Sequence, residues 1–423
     1  MSGQTMTEKI IARASGQDTV RPGDEIWAVA DRIIMNDTTG PRRIAGLIEE
    51  LGGVRDRDRI VLASDHFVPP ANIRQAEILK TTREWAQSQE LEHYFEYQGV
   101  LHNLVLQESL VLPGMLLVGA DSHTVTAGAM GAVAVAVGST ELATVIATGE
   151  IWLRVPQGIL IYLIGQLSPW VEMRDVTMHL LGKYKSDFAL YSGVEFSGPF
   201  TKGLDLEQRL VLSNQGIEMG SKNSTVVPSQ ILLDLIEAAD IQQDFIPIYP
   251  DDDADYAVKY EIDVGELVPQ VALPHAVDNL VPADQVQDGE VDIAWIGSCV
   301  GGRYADLRAA ADVLRGKQVR IPLLINPATH AIYRRAVEDG TFQTLLDAGA
   351  VFQPAGCGPC AGLHSGILAA DEKVITTATR NFRGRMGSRD SGVYLASPYT
   401  VAASALAGRV VDPRQVSEGS KVA

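Results

Sequence analysis

From Val291 to Gly408 strand-like and helix-like stretches alternate without a break. "VDIAWIG" (291–297) reads as a strand and "SCVGG" (298–302) as a turn. "RYADLRAAADVLRG" (303–316) reads as a helix with Leu307, Ala311 and Leu314 on one side. Strands at "QVRIPLLI", "AVFQPAG", "KVITTAT" and "GVYLAS" follow, with helices at "PATHAIYRRAVEDG", "TFQTLLDAG" and "PYTVAASALAG" between and after them. Such alternation builds parallel sheets covered by helices. Parallel sheets bind ligands beyond the carboxyl ends of their strands.

The same grammar runs through the first third. "DEIWAVADRII" (24–34) and "DRIVLASDHF" (58–67) read as strands around a helical "GPRRIAGLIEELGG". "GMLLVGADSHTVTAGAMG" reads as a strand entering a Gly-rich turn, "STELATVIATGEIWL" as a helix and "QGILIYLIGQL" as a buried strand. The middle is looser, and its acidic "YPDDDADY" reads as a solvated loop. The expected architecture is α/β, with three α/β/α units and largely parallel sheets, divided at 1–165, 166–285 and 286–423.

Charge and composition bound the function. The net charge of −18 argues against nucleic-acid and anionic-membrane surfaces, which need clustered Lys and Arg. A few local arginines can still serve an anionic substrate. "MSGQTMTEKIIARASG" lacks the apolar core of a signal peptide, and Thr5 with Glu8 reads as a capping box. No window offers about 18 consecutive strongly apolar residues. A cytoplasmic protein is expected.

The chain has three cysteines, Cys299, Cys357 and Cys360. Four uses compete. A thioredoxin-like Cys357–Cys360 dithiol would need a small domain around it and leaves Cys299 unexplained. A structural zinc site would add His364 and make the chain a non-catalytic, zinc-stapled α/β protein. An iron–sulfur cluster on three thiolates would leave one iron open as a Lewis acid. Inert buried cysteines fit poorly in a turn holding Gly356, Gly358, Pro359 and Gly362. Flanking glycines let backbone approach a bulky inorganic group, which tilts the balance to the cluster. Arg380 and Arg385 in "RNFRGR" suit bidentate carboxylate capture.

Taken with "MNDTTGP", "SDHFVP", "GVLHNLVLQE", "PGMLLVGADSHT", "GSTELA", "NQGIEMGSKNS", "GSCVGGRYADLRAAA", "GCGPCAG" and "RNFRGR", the chain resembles the aconitase-type hydro-lyases. Within them it is most similar to the isopropylmalate dehydratase and homoaconitase large subunits. The resemblance implies a [4Fe-4S] cluster on Cys299, Cys357 and Cys360 with one iron not ligated by protein. It implies catalytic roles for Asp65, His66, His102, Asp121, His123 and Glu218. Substrate contacts fall to Asn36, Ser122, Arg380 and Arg385, and Asn214 stands beside the cluster.

The implied reaction removes water from, and returns it to, a small 2-hydroxy di- or tricarboxylate. 3-Isopropylmalate/2-isopropylmalate isomerisation in leucine biosynthesis leads; homoaconitase and maleate-, citraconate- or dimethylmalate-type hydratases are alternatives. Asp65 beside His66 and Asp121 paired with His102 would set imidazole tautomer and charge. A Ser/His/Asp nucleophile set at 121–123 is disfavoured, because adjacent side chains of an extended segment point apart.

Three departures stand out. Relatives read Ser-Cys-Thr-Asn where this chain has Ser298-Cys299-Val300-Gly301, and Asn-Arg-Asn-Phe where it has Thr379-Arg380-Asn381-Phe382. Asn36 replaces a His or Gln. The swivel domain that carries the serine base in single-chain aconitases has no counterpart motif here, so the resemblance implies a separate small swivel-domain subunit as partner.

Overall fold

The computed structural model describes residues 3–417 except 240, 242 and 288. Among the described residues 18 strands form four sheets. The first is five-stranded, in the order β4-β3-β2-β5-β6, and all its strands are parallel. They are β2 (Arg32–Asn36), β3 (Ile60–Ser64), β4 (His93–Glu96), β5 (Leu116–Gly119) and β6 (Val133–Ala136). β2 is central, with Asn36 opposite Ala63 of β3 and Ile34 opposite Gly119 of β5. β3 is buried at every position, as expected of a parallel strand covered on both faces.

β1 (Glu25–Val29) and β7 (Glu150–Arg154) make a separate antiparallel pair with every second residue exposed. This corrects two readings. The stretch 24–34 is two strands in two sheets, broken at Ala30–Asp31. The helix 139–153 ends at Thr148, capped by left-handed Gly149, and "EIWLR" is strand.

The second sheet runs β10-β9-β8-β11, again parallel. Its members are β8 (Gly158–Ile164), β9 (Gly193–Ser197), β10 (Asn223–Val226) and β11 (Val258–Asp263). β8, which a division at 165 assigns to the first unit, belongs here. The third sheet runs β13-β12-β18-β17-β14-β15-β16. It contains β12 (Gln270–Ala272), β13 (Leu280–Pro282), β14 (Ile293–Ile296), β15 (Leu323–Ile325), β16 (Ala350–Phe352), β17 (Lys373–Thr376) and β18 (Gly392–Ala396). From β18 to β16 it is parallel, while β12 pairs antiparallel with β18 and β13. β12 and β13 therefore join the third unit, not the second.

The N-terminal helix Met6–Ser15 carries the expected capping box: Thr5 accepts from Glu8 N, and Glu8 accepts from Thr5 N at 2.7 Å. The acidic loop is not merely solvated. Asp251 accepts from Gln4 N at 2.7 Å and pairs with Lys9, tying that loop to the helix. One apolar core runs through the three larger sheets, from Ile34 and Leu117 through Phe196 to Trp295 and Leu395. Among the described residues, no helix is long and apolar enough to cross a membrane.

Candidate active site and metal centre

The carboxyl ends of two sheets face one another across the chain's candidate site. Asn36 ends β2, Asp65-His66 follow β3 and Asp121-Ser122-His123 follow β5. From the third sheet, Cys299 follows β14, Cys357 and Cys360 follow β16, and Arg380 and Arg385 follow β17. The helix Leu206–Gln215 and the turn Gly216–Met219, between β9 and β10, bring Asn214 and Glu218. Cross-links join these sources. Cys357 N donates to Asp65 O at 2.9 Å, Asn103 Nδ2 to Cys299 O at 3.1 Å, and Arg380 Nη1 to Ser122 Oγ at 3.1 Å.

Two Asp–His pairs stand beside each other. His66 Nδ1 lies 2.7 Å from Asp65 Oδ1, and Asp65 Oδ2 accepts from Leu101 N at 2.8 Å. Asp37 receives the backbone N–H groups of His66 and Phe67 at 3.3 and 3.1 Å. Burial alone would depress His66, but Cys357, Asp65 and Asp37 hold it well above the ordinary imidazole range. His102 Nε2 lies 2.9 Å from Asp121 Oδ1, and His102 Nδ1 is buried without a partner. Burial would raise Asp121, but His102 and then His123 pull it well below the usual carboxylate range.

Asp121 is extended, but the residues after it are not. Ser122–Met130 is a 3-10 segment, so the expected reason against a nucleophile set is replaced by contacts. Ser122 Oγ is 3.4 Å from His123 Nδ1, yet it accepts from Arg380, and Asp121 is committed to His102. His123 Nε2 lies 3.2 Å from Glu218 Oε1 without hydrogen-bond alignment, and Arg380 Nε donates to that oxygen at 2.8 Å. Burial holds His123 below its ordinary value, toward the neutral form. Glu218, despite burial, is held low by His123 and Arg380 and is a carboxylate.

The three cysteines are free, with Cys299 and Cys360 buried and Cys357 half-buried. Burial holds Cys299 well above the usual thiol range, and Cys360 and Cys357 add to the shift. Burial likewise pushes Cys357 up to about 12. Left alone, such thiols keep their protons; a cationic iron centre removes them. Two donors already point at sulfur. Asn214 Nδ2 donates to Cys299 Sγ at 3.1 Å, and Arg385 Nη2 lies 3.8 Å from Cys360 Sγ.

The loop around Cys357 is shaped by glycines at φ 153° (Gly356) and 53° (Gly358), where a Cβ would meet Asp65 O at 2.9 Å and Asn326 Oδ1 at 2.7 Å. Arg385 Nε, Ser298 Oγ and Thr379 Oγ1 are buried without partners nearby. Donor set, loop shape and unpartnered polar atoms together fit an iron–sulfur group. The zinc set does not assemble on its fourth member: His364 bonds Ser365 Oγ through Nδ1 and Pro69 O through Nε2.

Asp37 and Asn103 lie within the quoted stretches MNDTTGP and GVLHNLVLQE but are not singled out there, and Arg174 lies in none of them; long-range contacts bring all three to the site. Asn36 is fully buried: its Oδ1 accepts from Thr38 and Thr39, and its Nδ2 reaches Asp121 Oδ2 at 3.4 Å. Gly301 explains one departure. A Cβ there would lie 2.2 Å from Thr377 Oγ1, so a larger residue cannot share this packing.

The sequence model of the Aconitase family (aconitate hydratase) matches residues 8–287 and 276–408. The chain is 42% identical over 417 residues to a 3-isopropylmalate dehydratase large subunit of Methanopyrus kandleri, covering 97% of this chain and 99% of that one. It is 43% identical over 422 residues to the protein of that name from Desulfatibacillum aliphaticivorans, covering 98% and 100%. Among solved structures, the holo form of Thermococcus kodakaraensis aconitase X shares the fold at TM-score 0.52 and 13% identity, over 86% of this chain and 88% of that one. Strand-end cysteines, paired Asp–His groups and near full-length similarity point one way: the chain belongs to the aconitase family.

Proposed function

We propose that the chain is the large subunit of an iron–sulfur hydro-lyase that interconverts 3-isopropylmalate and 2-isopropylmalate by removing and returning water. The observation that carries this reading is the convergence of three free thiols, bracketed by Asn214 and Arg385, with the His102–Asp121 and Arg380–Glu218–His123 sets. The near full-length relatives bear that enzyme's name.

Cys299, Cys357 and Cys360 would hold a [4Fe-4S] cluster with one iron free of protein ligands. Lewis acidity toward a substrate hydroxyl is the chemistry such a cluster supplies when bound. The remaining work falls to side chains. Arg385, with Nε unpartnered, and the outer face of Arg380 bind the substrate carboxylates. His102, oriented by Asp121 through Nε2, gives a proton from Nδ1 to the departing hydroxyl, which leaves as water. On rehydration the same nitrogen takes that proton back. Asn36 positions Asp121, while Asp65 and Asp37 orient His66 beside Cys357. The base for the adjacent C–H comes from a small swivel-domain subunit, a partner that the relatives' large-subunit names imply.

A second reading keeps the chemistry and changes the substrate. Gly301, where a Cβ would lie 2.2 Å from Thr377 Oγ1, and Thr379, whose Oγ1 is buried without a hydrogen-bond partner, stand where relatives carry Asn. With these departures the alternative is a hydratase of another small dicarboxylate, of the maleate or citraconate type. The test is anaerobic reconstitution with the small subunit of the source genome, followed by a panel of 3-isopropylmalate, homoaconitate, maleate and citraconate. Turnover of 3-isopropylmalate above the others is expected. Full cluster occupancy with neither dehydration of 3-isopropylmalate nor hydration of any other panel member would overturn the hydro-lyase reading.

A further inference from the structure

A cleft of about 400 Å³ opens immediately beside the candidate active site, lined by Arg42, Arg43, Arg74, Phe67, Ile78 and Leu363. It begins where the site ends. Phe67 follows His66, Leu363 lies three residues past Cys360, and neighbouring Thr38 donates to Asn36 Oδ1 at 2.7 Å. The helices Pro41–Glu50 and Ile73–Ser88 both start here, which places Arg42, Arg43 and Arg74 in their first turns. Cations at a helix N-terminus are disfavoured by its dipole, so nothing in local folding calls for three of them there.

The three guanidinium groups are exposed. Among the described residues none forms an ion pair; Arg43 Nε donates to the carbonyl of Thr38 at 2.7 Å. That is unusual in a chain of net charge −18, where carboxylates outnumber cations 53 to 35. Apolar surface accompanies the charge. Leu363 is 44% exposed and Ile73 79% exposed, and Gln75 Nε2 fixes the Leu363 carbonyl at 2.8 Å. Arginine with exposed apolar side chains is the composition of a protein-binding face, whereas a small anion would need no apolar wall.

We propose that this cleft seats a segment of the small subunit that carries carboxylates beside an apolar anchor. The inference rests on the two-subunit reading above. A subunit that completes the site must cross its rim, and the cleft is a part of that rim where arginines without ion pairs among the described residues meet exposed apolar side chains. Because the arginines are exposed, they act mainly by steering association and by rejecting uncharged or basic partners.

The test uses the anaerobically reconstituted chain and the small subunit of its own genome, with association followed at low and high salt. Wild type is expected to bind more weakly as salt rises. Arg42→Glu/Arg74→Glu is expected to lose about tenfold or more in affinity at low salt, and to lose most of the salt dependence. Leu363→Asn, which adds no charge, is expected to weaken binding with the salt dependence kept. Arg308→Glu/Arg315→Glu, on the helix Tyr304–Leu314 and its C-cap, is the control and should bind as wild type. Iron content and thermal unfolding verify that each variant is intact. Unchanged affinity and salt dependence in the Arg42/Arg74 variant would overturn the proposal while the two-subunit reading stands. So would a raised KM for substrate with subunit affinity intact, which would make the cleft a guide for the substrate anion. A wild-type chain that binds no small subunit yet turns over at full rate would overturn both.

Discussion

His102 meets Asp121 through Nε2 at 2.9 Å and turns a buried, unpartnered Nδ1 the other way. A carboxylate on one ring nitrogen fixes the tautomer and supports charge on the ring, which leaves the other nitrogen as the reactive atom. Asp121→Asn keeps the shape and removes the charge. It is expected to lower kcat by about 10²–10⁴-fold, the range of general acid–base assistance, with little change in KM. Steady-state kinetics on the reconstituted two-subunit enzyme check this. A change confined to KM would show that the pair binds substrate and moves no proton.

Arg174 Nη2 donates to Ala378 O at 2.6 Å, two residues before Arg380, while its Nε and Nη1 are buried without partners. Burial lowers its pKa to about 10, and Glu218 and Cys299 act against that shift. A cation so placed favours the more negative state of any cluster on Cys299. Arg174→Met is expected to lower the cluster's midpoint potential, and Arg174→Lys to leave it near wild type. Anaerobic redox titration decides, and equal potentials in wild type and the Met variant would reduce Arg174 to a structural prop.

Arg209 is wholly buried and faces only carbonyls: Ala129 O at 2.7 Å, Val226 O at 2.8 Å and Val227 O at 3.1 Å. It ties the helix carrying Asn214 to the segment that begins at Ser122. Arg209→Met strands three acceptors, so a loss of about 3 kcal/mol or more is expected. Denaturant unfolding reads it, and a loss below about 1 kcal/mol would mean that water replaces the guanidinium.

Asp175 caps the helix Met173–Tyr184, accepting from Gln270 N at 2.8 Å and Glu172 N at 2.9 Å. Burial outweighs these bonds and lifts its pKa to about 7. A carboxyl raised in the folded state binds its proton more tightly there than in the unfolded chain. Its favourable contribution is therefore complete below about pH 4 and is lost as pH rises toward about 7. At most about 4 kcal/mol is involved, at about 1.36 kcal/mol per pH unit. Asp175→Asn keeps one of the two acceptors and should flatten stability between about pH 4 and 7 relative to wild type. Parallel pH slopes for the two proteins would contradict this.

The strand ends that carry the candidate site were legible because β/α alternation is a local pattern. Cys299, Asp65 and Arg380 could be placed without coordinates. Boundaries set by tertiary pairing were not. Nothing local separates Glu25–Val29 from Arg32–Asn36, yet one pairs with β7 and the other is the centre of the first sheet. "EIWLR" continues a helical apolar pattern and becomes strand only because β1 lies beside it. Asp37, Asn103 and Arg174 escaped notice since each gains its role from a partner 29 to 204 residues away. Asn36, expected on the substrate, is buried, with Nδ2 3.4 Å from Asp121 Oδ2, a contact no local pattern announces.

The central claim is that Cys299, Cys357 and Cys360 jointly hold a catalytic iron–sulfur group. Anaerobic iron and sulfide analysis tests it most directly when run beside 3-isopropylmalate dehydration on wild type and on Cys299→Ser, Cys357→Ser and Cys360→Ser, each with the small subunit. Wild type should contain iron and acid-labile sulfide and turn over, and each variant should lose both together. Stoichiometric zinc without sulfide in wild type, or full turnover in any of the three variants, would contradict it.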